Sequence, residues 1–247
     1  MITPLLLTAL LIGLVLGLFG AGGGMLTVPA LMIVGEISVK EAVPMSLWIV
    51  ALVSLTAAIH QKVWQEIEYR LLIVLGVTGM IGSGAGAGAG TLISDQLQLG
   101  LLSVLILFVA LWVGFVRLEN KVAIFRYIPA LLAGLLIGFL TGLLGVGGGF
   151  LLVPVLIFLG VRHFPTAVGH SLLLIAANAI SGALVYLWVE QANIDISMTL
   201  TVTVIAAVGS VLGGLLLKRI PSAMLQKGFA MLLIMLGCFV GWQSLSL

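Results

Sequence analysis

Residues 17–35 read GLFGAGGGMLTVPALMIVG, and residues 142–160 read GLLGVGGGFLLVPVLIFLG. Laid at an offset of 125 positions (145 − 20), Gly20, Gly22, Gly23, Gly24, Val28, Pro29 and Gly35 meet Gly145, Gly147, Gly148, Gly149, Val153, Pro154 and Gly160. The correspondence continues outward. Ala42 meets Ala167 and Ser46-Leu47 meets Ser171-Leu172; then, at an offset of 127 (209 − 82), Gly82-Ser83 meets Gly209-Ser210, Gly86 meets Gly213 and Ile93 meets Ile220. Glycines and prolines aligned over this length mark an internal duplication. It divides the chain into two copies, 1–120 and 121–247, of one integral membrane unit.

Composition sets the solvent. Of 247 residues 62% are hydrophobic and 7% charged, against about 25% charged in an ordinary soluble domain. With a mean hydropathy of +1.36 the chain has too few polar residues to cover a water-facing surface, so most of it faces lipid. A net charge of +2, with its cations dispersed, gives no basic stripe for nucleic acid. The single cysteine, Cys238, excludes an internal disulfide and cannot by itself build a metal cluster. No cofactor and no metal is expected. The N-terminus has no positive stretch before its apolar run and reads as a retained segment instead of a signal peptide.

Each copy contains five apolar runs, near 5–19, 25–35, 43–60, 71–92 and 99–116, then 128–144, 150–161, 168–189, 197–217 and 228–245. The last three of each set are long enough to span. The second, at about eleven residues and roughly 1.5 Å per residue, is too short for a core of about 30 Å. Two topologies compete. If the first two runs form one broken crossing helix, Lys40, Arg162, Lys218, Arg219 and Lys227 share one face and Lys62, Arg70, Arg117, Lys121 and Arg126 the other, with no bias. If they form a re-entrant hairpin, nine of these cations share one face and Lys40 alone lies opposite. The positive-inside rule selects the hairpin. The predicted fold is therefore an all-α polytopic membrane protein of two inverted-topology repeats. Each is a glycine-broken re-entrant hairpin plus three transmembrane helices, in the bacterial cytoplasmic (inner) membrane with both termini periplasmic. The two hairpins should meet near the membrane centre.

A half-helix beginning after Gly22-Gly23-Gly24 or after Gly147-Gly148-Gly149 presents free N–H groups and the positive end of its dipole. Two such ends make an anion site without formal charge. Pro29 and Pro154 come early enough in each half-helix to do little damage. The alternative is that these glycines only pack helices, but three in a row repeated in both copies favour a break. A phosphate-binding loop is excluded, since no Gly-Lys-Ser/Thr follows. Gly82, Gly86 and Gly90, with counterparts Gly209 and Gly213, read instead as close helix packing between the copies.

No Asp, Glu, Lys or Arg lies at the centre of any run, which argues against carboxylate-coupled transport. Ser46 and Ser171 are matched, and each either bonds its own backbone or lines the site. His170, whose counterpart is Met45, either contributes to the site or reaches the interface. Asn178, opposite Val53, either contacts a ligand or joins two helices. The five tryptophans read as interface anchors or packing.

Gly-x-Gly-Gly-Gly followed by Val-Pro and then Ala-x-x-x-Ser, present twice, resembles the TauE/SafE family of sulfite and organosulfonate exporters over essentially the whole chain. The resemblance implies a transporter of small sulfur-containing anions. It marks Gly20, Gly22, Gly23, Gly24, Pro29 and Ser46, with Gly145, Gly147, Gly148, Gly149, Pro154 and Ser171. The chain departs from symmetry at Met45/His170 and Thr27/Leu152, so its two half-sites are not equivalent. Together these readings predict a non-enzymatic secondary transporter or facilitator with a small anionic substrate, and they leave homo-oligomerisation open. An anion channel on the same scaffold, or a carrier of a non-sulfur organic anion, is the alternative. An intramembrane hydrolase using a serine with His60 or His170 is disfavoured, because no Gly-x-Ser-x-Gly elbow appears.

Overall fold

A computed structural model describes residues 2–20, 23–63, 69–115, 127–146, 148–161, 164–190, 194–217 and 219–246. The described residues form helices only: α1 (Ile2–Phe19), α2 (Gly23–Gly35), α3 (Val39–His60), α4 (Tyr69–Gly90), α5 (Asp95–Phe115), α6 (Tyr127–Leu144), α7 (Gly149–Phe158), α8 (Phe164–Glu190), α9 (Ile196–Leu217) and α10 (Ser222–Ser246). Each apolar run of the sequence is one helix. Seven of them (α3, α4, α5, α6, α8, α9 and α10) are long and apolar enough to cross a membrane; α2 and α7 are shorter, as is the apolar part of α1. At roughly 1.5 Å per residue, the 13 residues of α2 and the 10 of α7 reach only about 20 and 15 Å.

Glycine sets how the helices pair. On α1, Gly13 and Gly17 lie directly on the backbone of Ala206 and Ser210 in α9; Gly209 and Gly213 return the contact onto Leu10 and Leu14. The matched seam joins α6 to α4, with Gly138 on Gly79, Gly142 on Ser83, Gly82 on Leu135 and Gly86 on Phe139. Backbone touches backbone at these positions, so no side chain fits. The expectation that Gly82 and Gly86 pack one copy against the other holds. Gly90 differs, standing against the Tyr186 hydroxyl.

The same contacts give direction. Residue numbers rise together along α1 and α9, and along α4 and α6, so each pair is parallel. Along α3 and α8 they run oppositely: Gly182 meets Leu47 and Gly169 meets Val63. Helices α5 and α10 are also antiparallel. Ser103 Oγ donates to the Gly237 carbonyl at 2.9 Å and Gln226 Nε2 to Val113 at 2.9 Å. Because α1 and α9 start at the same end, the contact of Gly35 with Met198 returns the end of α2 to the end where α1 began.

Helix α3 is central, 72% of its span being buried, whereas α10 is 33% buried and peripheral. A capping box starts α3: Ser38 accepts from the Glu41 N–H while the Glu41 side chain accepts from the Ser38 N–H. Lys40 follows, and its ammonium donates to the carbonyls of Gly90, Thr91 and Ile93 at 3.3, 3.0 and 3.0 Å. The one cation that the sequence left apart from the other nine thus closes the C-terminal end of α4, where the helix dipole is negative. Trp188 and Trp242 lie on the apolar exterior, and Cys238 is exposed there too.

Candidate functional site

The two breaks are built alike. Gly20 (φ 59°) follows α1 and Gly145 (φ 69°) follows α6, both in the left-handed region that a Cβ disfavours. A Cβ on Gly20 would strike Ser171 Oγ at 2.6 Å and Val168; one on Gly145 would strike Val43 at 2.7 Å and Ser46 Oγ at 3.1 Å. The serines explain this closeness. Ser171 Oγ reaches the Gly20 carbonyl at 2.7 Å and its own Val168 carbonyl at 2.7 Å. Ser46 Oγ reaches the carbonyls of Gly145 and Val43 in the same way. Each copy's serine therefore holds the other copy's break.

Ser46 lies seven residues into α3 and Ser171 seven residues into α8, about two turns from their starts. Because α3 and α8 are antiparallel, the two serines approach from opposite ends, and each stands nearer the midpoint of its own helix than its start. The breaks overlap instead of meeting tip to tip, and they touch where Gly24, in the first turn of α2, presses on the backbone of Val146. Helix length is the reason: α6, at 18 residues, is about 27 Å long.

Helix α7 opens on Gly148, in the left-handed region at φ 61°, with no side-chain cap. Its earliest inward bonds are those of Leu151 and Leu152 N–H to the Gly148 carbonyl at 3.1 and 3.2 Å. The N–H groups of Gly149 and Phe150 precede them, and no acceptor is seen for either among the described residues. Gly148 itself folds back against Thr141 Oγ1 and Ile137. Gly23 begins α2; Gly22 and Gly147 lie outside the described residues. Pro29 and Pro154 fall beyond the first turn, so each removes the intrahelical donor to Met25 or Phe150, yet both helices continue through them.

His170 is 1% exposed, buried inside the protein one residue before Ser171 on α8. Asn178 lies two turns beyond Ser171 and packs on Gly79 of α4, 2.5 Å from the Cβ position there. Its backbone carbonyl accepts from Ser83 Oγ at 2.6 Å, while its Oδ1 has no donor among the described residues. Asn178 is thus brought to the α4–α8 contact rather than to the Gly20 break.

Sequence reading missed Gln98, Ser54 and Thr141, all buried and polar. Gln98 Nε2 donates to the Leu143 carbonyl at 2.6 Å, near the tip of α6, and its Oε1 has no partner among the described residues. Ser54 Oγ is likewise unpartnered on α3. Only the rarity of buried polar side chains in such a chain could have flagged them. None has a polar counterpart in the other copy: Leu225, Ala179 and Leu16 stand there.

A family model described as sulfite exporter TauE/SafE matches residues 5–240. A probable membrane transporter protein of Xylella fastidiosa strain Temecula1 is 30% identical, over 95% of this chain and 92% of its own length. Bacillus subtilis YdhB, with the same description, is 26% identical over 90% of this chain and 93% of its own length. A third relative, from Methanocaldococcus jannaschii, is 26% identical over 74% of this chain and 71% of its own. No solved structure matches.

Proposed function

The chain belongs to the TauE/SafE sulfite exporter family, and from that premise we propose that it carries a small sulfur-containing anion, sulfite or a short organosulfonate, out across the cytoplasmic membrane. Its relatives are described as membrane transporters. The anion binds where the glycine breaks leave backbone N–H groups at the starts of α2 and α7, the positive ends of two half-helix dipoles. Gly20, Gly22, Gly23, Gly24 and Ser46 form one half-site with its brace; Gly145, Gly147, Gly148, Gly149 and Ser171 form the other. His170 and Asn178 make the halves unequal.

The carrying observation is the reciprocal brace, Ser46 to Gly145 and Ser171 to Gly20. It couples the two copies at the breaks, so a ligand felt by one copy is felt by the other. Two inverted repeats, 1–120 and 121–247, underlie it. Their support is the antiparallel pairing of the matched helices α3/α8 and α5/α10, and the return of Gly35 to the end where α1 begins. A single broken crossing helix in each copy would make those matched pairs parallel. On this topology nine of the ten cations lie on the face opposite Lys40, which supports a periplasmic position for both termini.

The test is counterflow in proteoliposomes. Vesicles preloaded with sulfite should take up labelled sulfite faster than empty ones, and the rate should saturate. Flux that rises linearly with concentration and shows no counterflow would identify a channel. Sulfite that neither moves nor raises the protein's melting temperature, while a carboxylate does both, would overturn the substrate.

A further inference from the structure

Resting on that reading, we propose that Gln98, together with Lys40, is a specificity element beside the second break. It accepts a hydrogen bond from the transported anion, and so selects sulfonates bearing a hydroxyl group over donor-free sulfonates of the same charge.

The orientation of the Gln98 amide is fixed by its neighbour. A carbonyl oxygen can only accept, so the group 2.6 Å from the Leu143 oxygen is the NH2. The amide oxygen is then the free end. Gln98 is 2% exposed and this oxygen has no donor among the described residues. A buried acceptor left unpaired is costly, and a substrate donor would satisfy it. Its place relative to the break follows from three contacts. Leu143 lies two residues before Gly145. Helix α5 touches both α6 and α7. Gly148, the cap of α7, folds back to Thr141, two residues before Leu143. The N–H groups that would bind the anionic oxygens therefore begin close to the Gln98 amide.

Positive charge stands nearby. Lys40 Nζ is 3.3 Å from the Gly90 carbonyl, and the Cβ position of Gly90 is 3.0 Å from the Leu143 oxygen and touches the Tyr186 hydroxyl. An ammonium and an unpaired acceptor thus flank the Gly90–Leu143 contact. An anion with its own donor is matched to both, whereas a donor-free anion leaves the amide oxygen unsatisfied. The second copy has no equivalent: Pro165, Leu225 and Leu217 occupy there the positions of Lys40, Gln98 and Gly90. Discrimination is thus built at one end of the transport path only.

The experiment titrates the purified full chain in nanodiscs with 2-hydroxyethanesulfonate and with ethanesulfonate, which carry the same charge, and reads binding from the melting temperature. Wild type should bind the hydroxylated anion about tenfold more tightly, the worth of one net hydrogen bond. Gln98→Met should erase that preference and leave ethanesulfonate binding unchanged. Lys40→Gln should weaken both anions alike. Gln98→Glu, when neutral, keeps a donor for Leu143 and an acceptor for the ligand. It should retain the preference at low pH and lose both anions once ionised, and it carries the test if the Met variant does not fold. Equal binding of the two sulfonates by wild type, or a preference that survives Gln98→Met, overturns the role of Gln98 alone. Failure of wild type to bind either sulfonate overturns the anion site as well.

Discussion

The hydroxyl of Ser46 has one proton and two carbonyls in reach, its own helix's Val43 and the other copy's Gly145; Ser171 has the same choice between Val168 and Gly20. Alanine at either position leaves a buried break carbonyl without its donor. Ser46→Ala and Ser171→Ala should each destabilise the protein by about 1–3 kcal/mol, read as a lower melting temperature. Thr56→Ala, whose hydroxyl returns to Leu52 at the surface of α3, should change it little. If the three variants melt alike, the serines are not braces. The same bonds separate what was readable in these residues from what was not. That Ser46 and Ser171 matter follows from their repeat-matched positions. That each serves the opposite copy does not, because the partners lie 99 and 151 residues away.

Helix pairing depends on where glycine faces backbone, and the glycine-rich stretch 82–90 contains both kinds of position. Gly86 lies against Phe139, and on the same seam Gly138 of α6 lies against Gly79, whereas nothing stands within 4 Å of the Cβ position of Gly88. Gly138→Leu should therefore part α6 from α4 and cost 1–3 kcal/mol or more, roughly the penalty for overpacking a filled interface. Gly88→Leu should fold normally. Yield and monodispersity on gel filtration distinguish them, and similar loss in both would dismiss the seam. The ten helices were legible because apolar runs and breaks are local features: Gly20 to Gly24 ends one run and Gly145 to Gly149 another. Where the tip of α6 stops was not legible, since a run's length does not reveal which residue of α3 that tip will meet. Gln98 escaped notice for a related reason. It sits at the start of α5, where a polar residue in the sequence looks like a helix end in water, and only the fold buries it under the tip of α6.

On the proposed topology the bundle as a whole has an electrical direction as well as a twofold pattern. If both termini are periplasmic, an impermeant thiol reagent added outside should label a cysteine placed at Leu247 but not one at Asn120, in a background where the exposed Cys238 is replaced by serine; labelling of both would discard the topology. The driving force follows from the same layout. Among the described residues, no carboxylate lies deep in a spanning helix: Glu41, Asp95 and Glu190 all sit in first or last turns. A protonatable carboxylate at depth is the usual carrier of a coupled proton, so the prediction is export driven by membrane potential. An interior-negative potential is worth about 2.3 kcal/mol per charge per 100 mV, which favours expelling a monoanion and favours a dianion twice as much. Proteoliposomes loaded with the anion, with potassium and valinomycin setting the potential and pH clamped on both sides, should release it faster as the interior becomes more negative. Efflux that ignores the potential and follows an imposed pH gradient would refute this. His170, buried on α8 beside the Ser171 brace, is then the group to examine. Loss of the pH-driven flux in His170→Gln, with potential-driven flux still absent, would assign the proton to that imidazole and make the transporter a proton-coupled one.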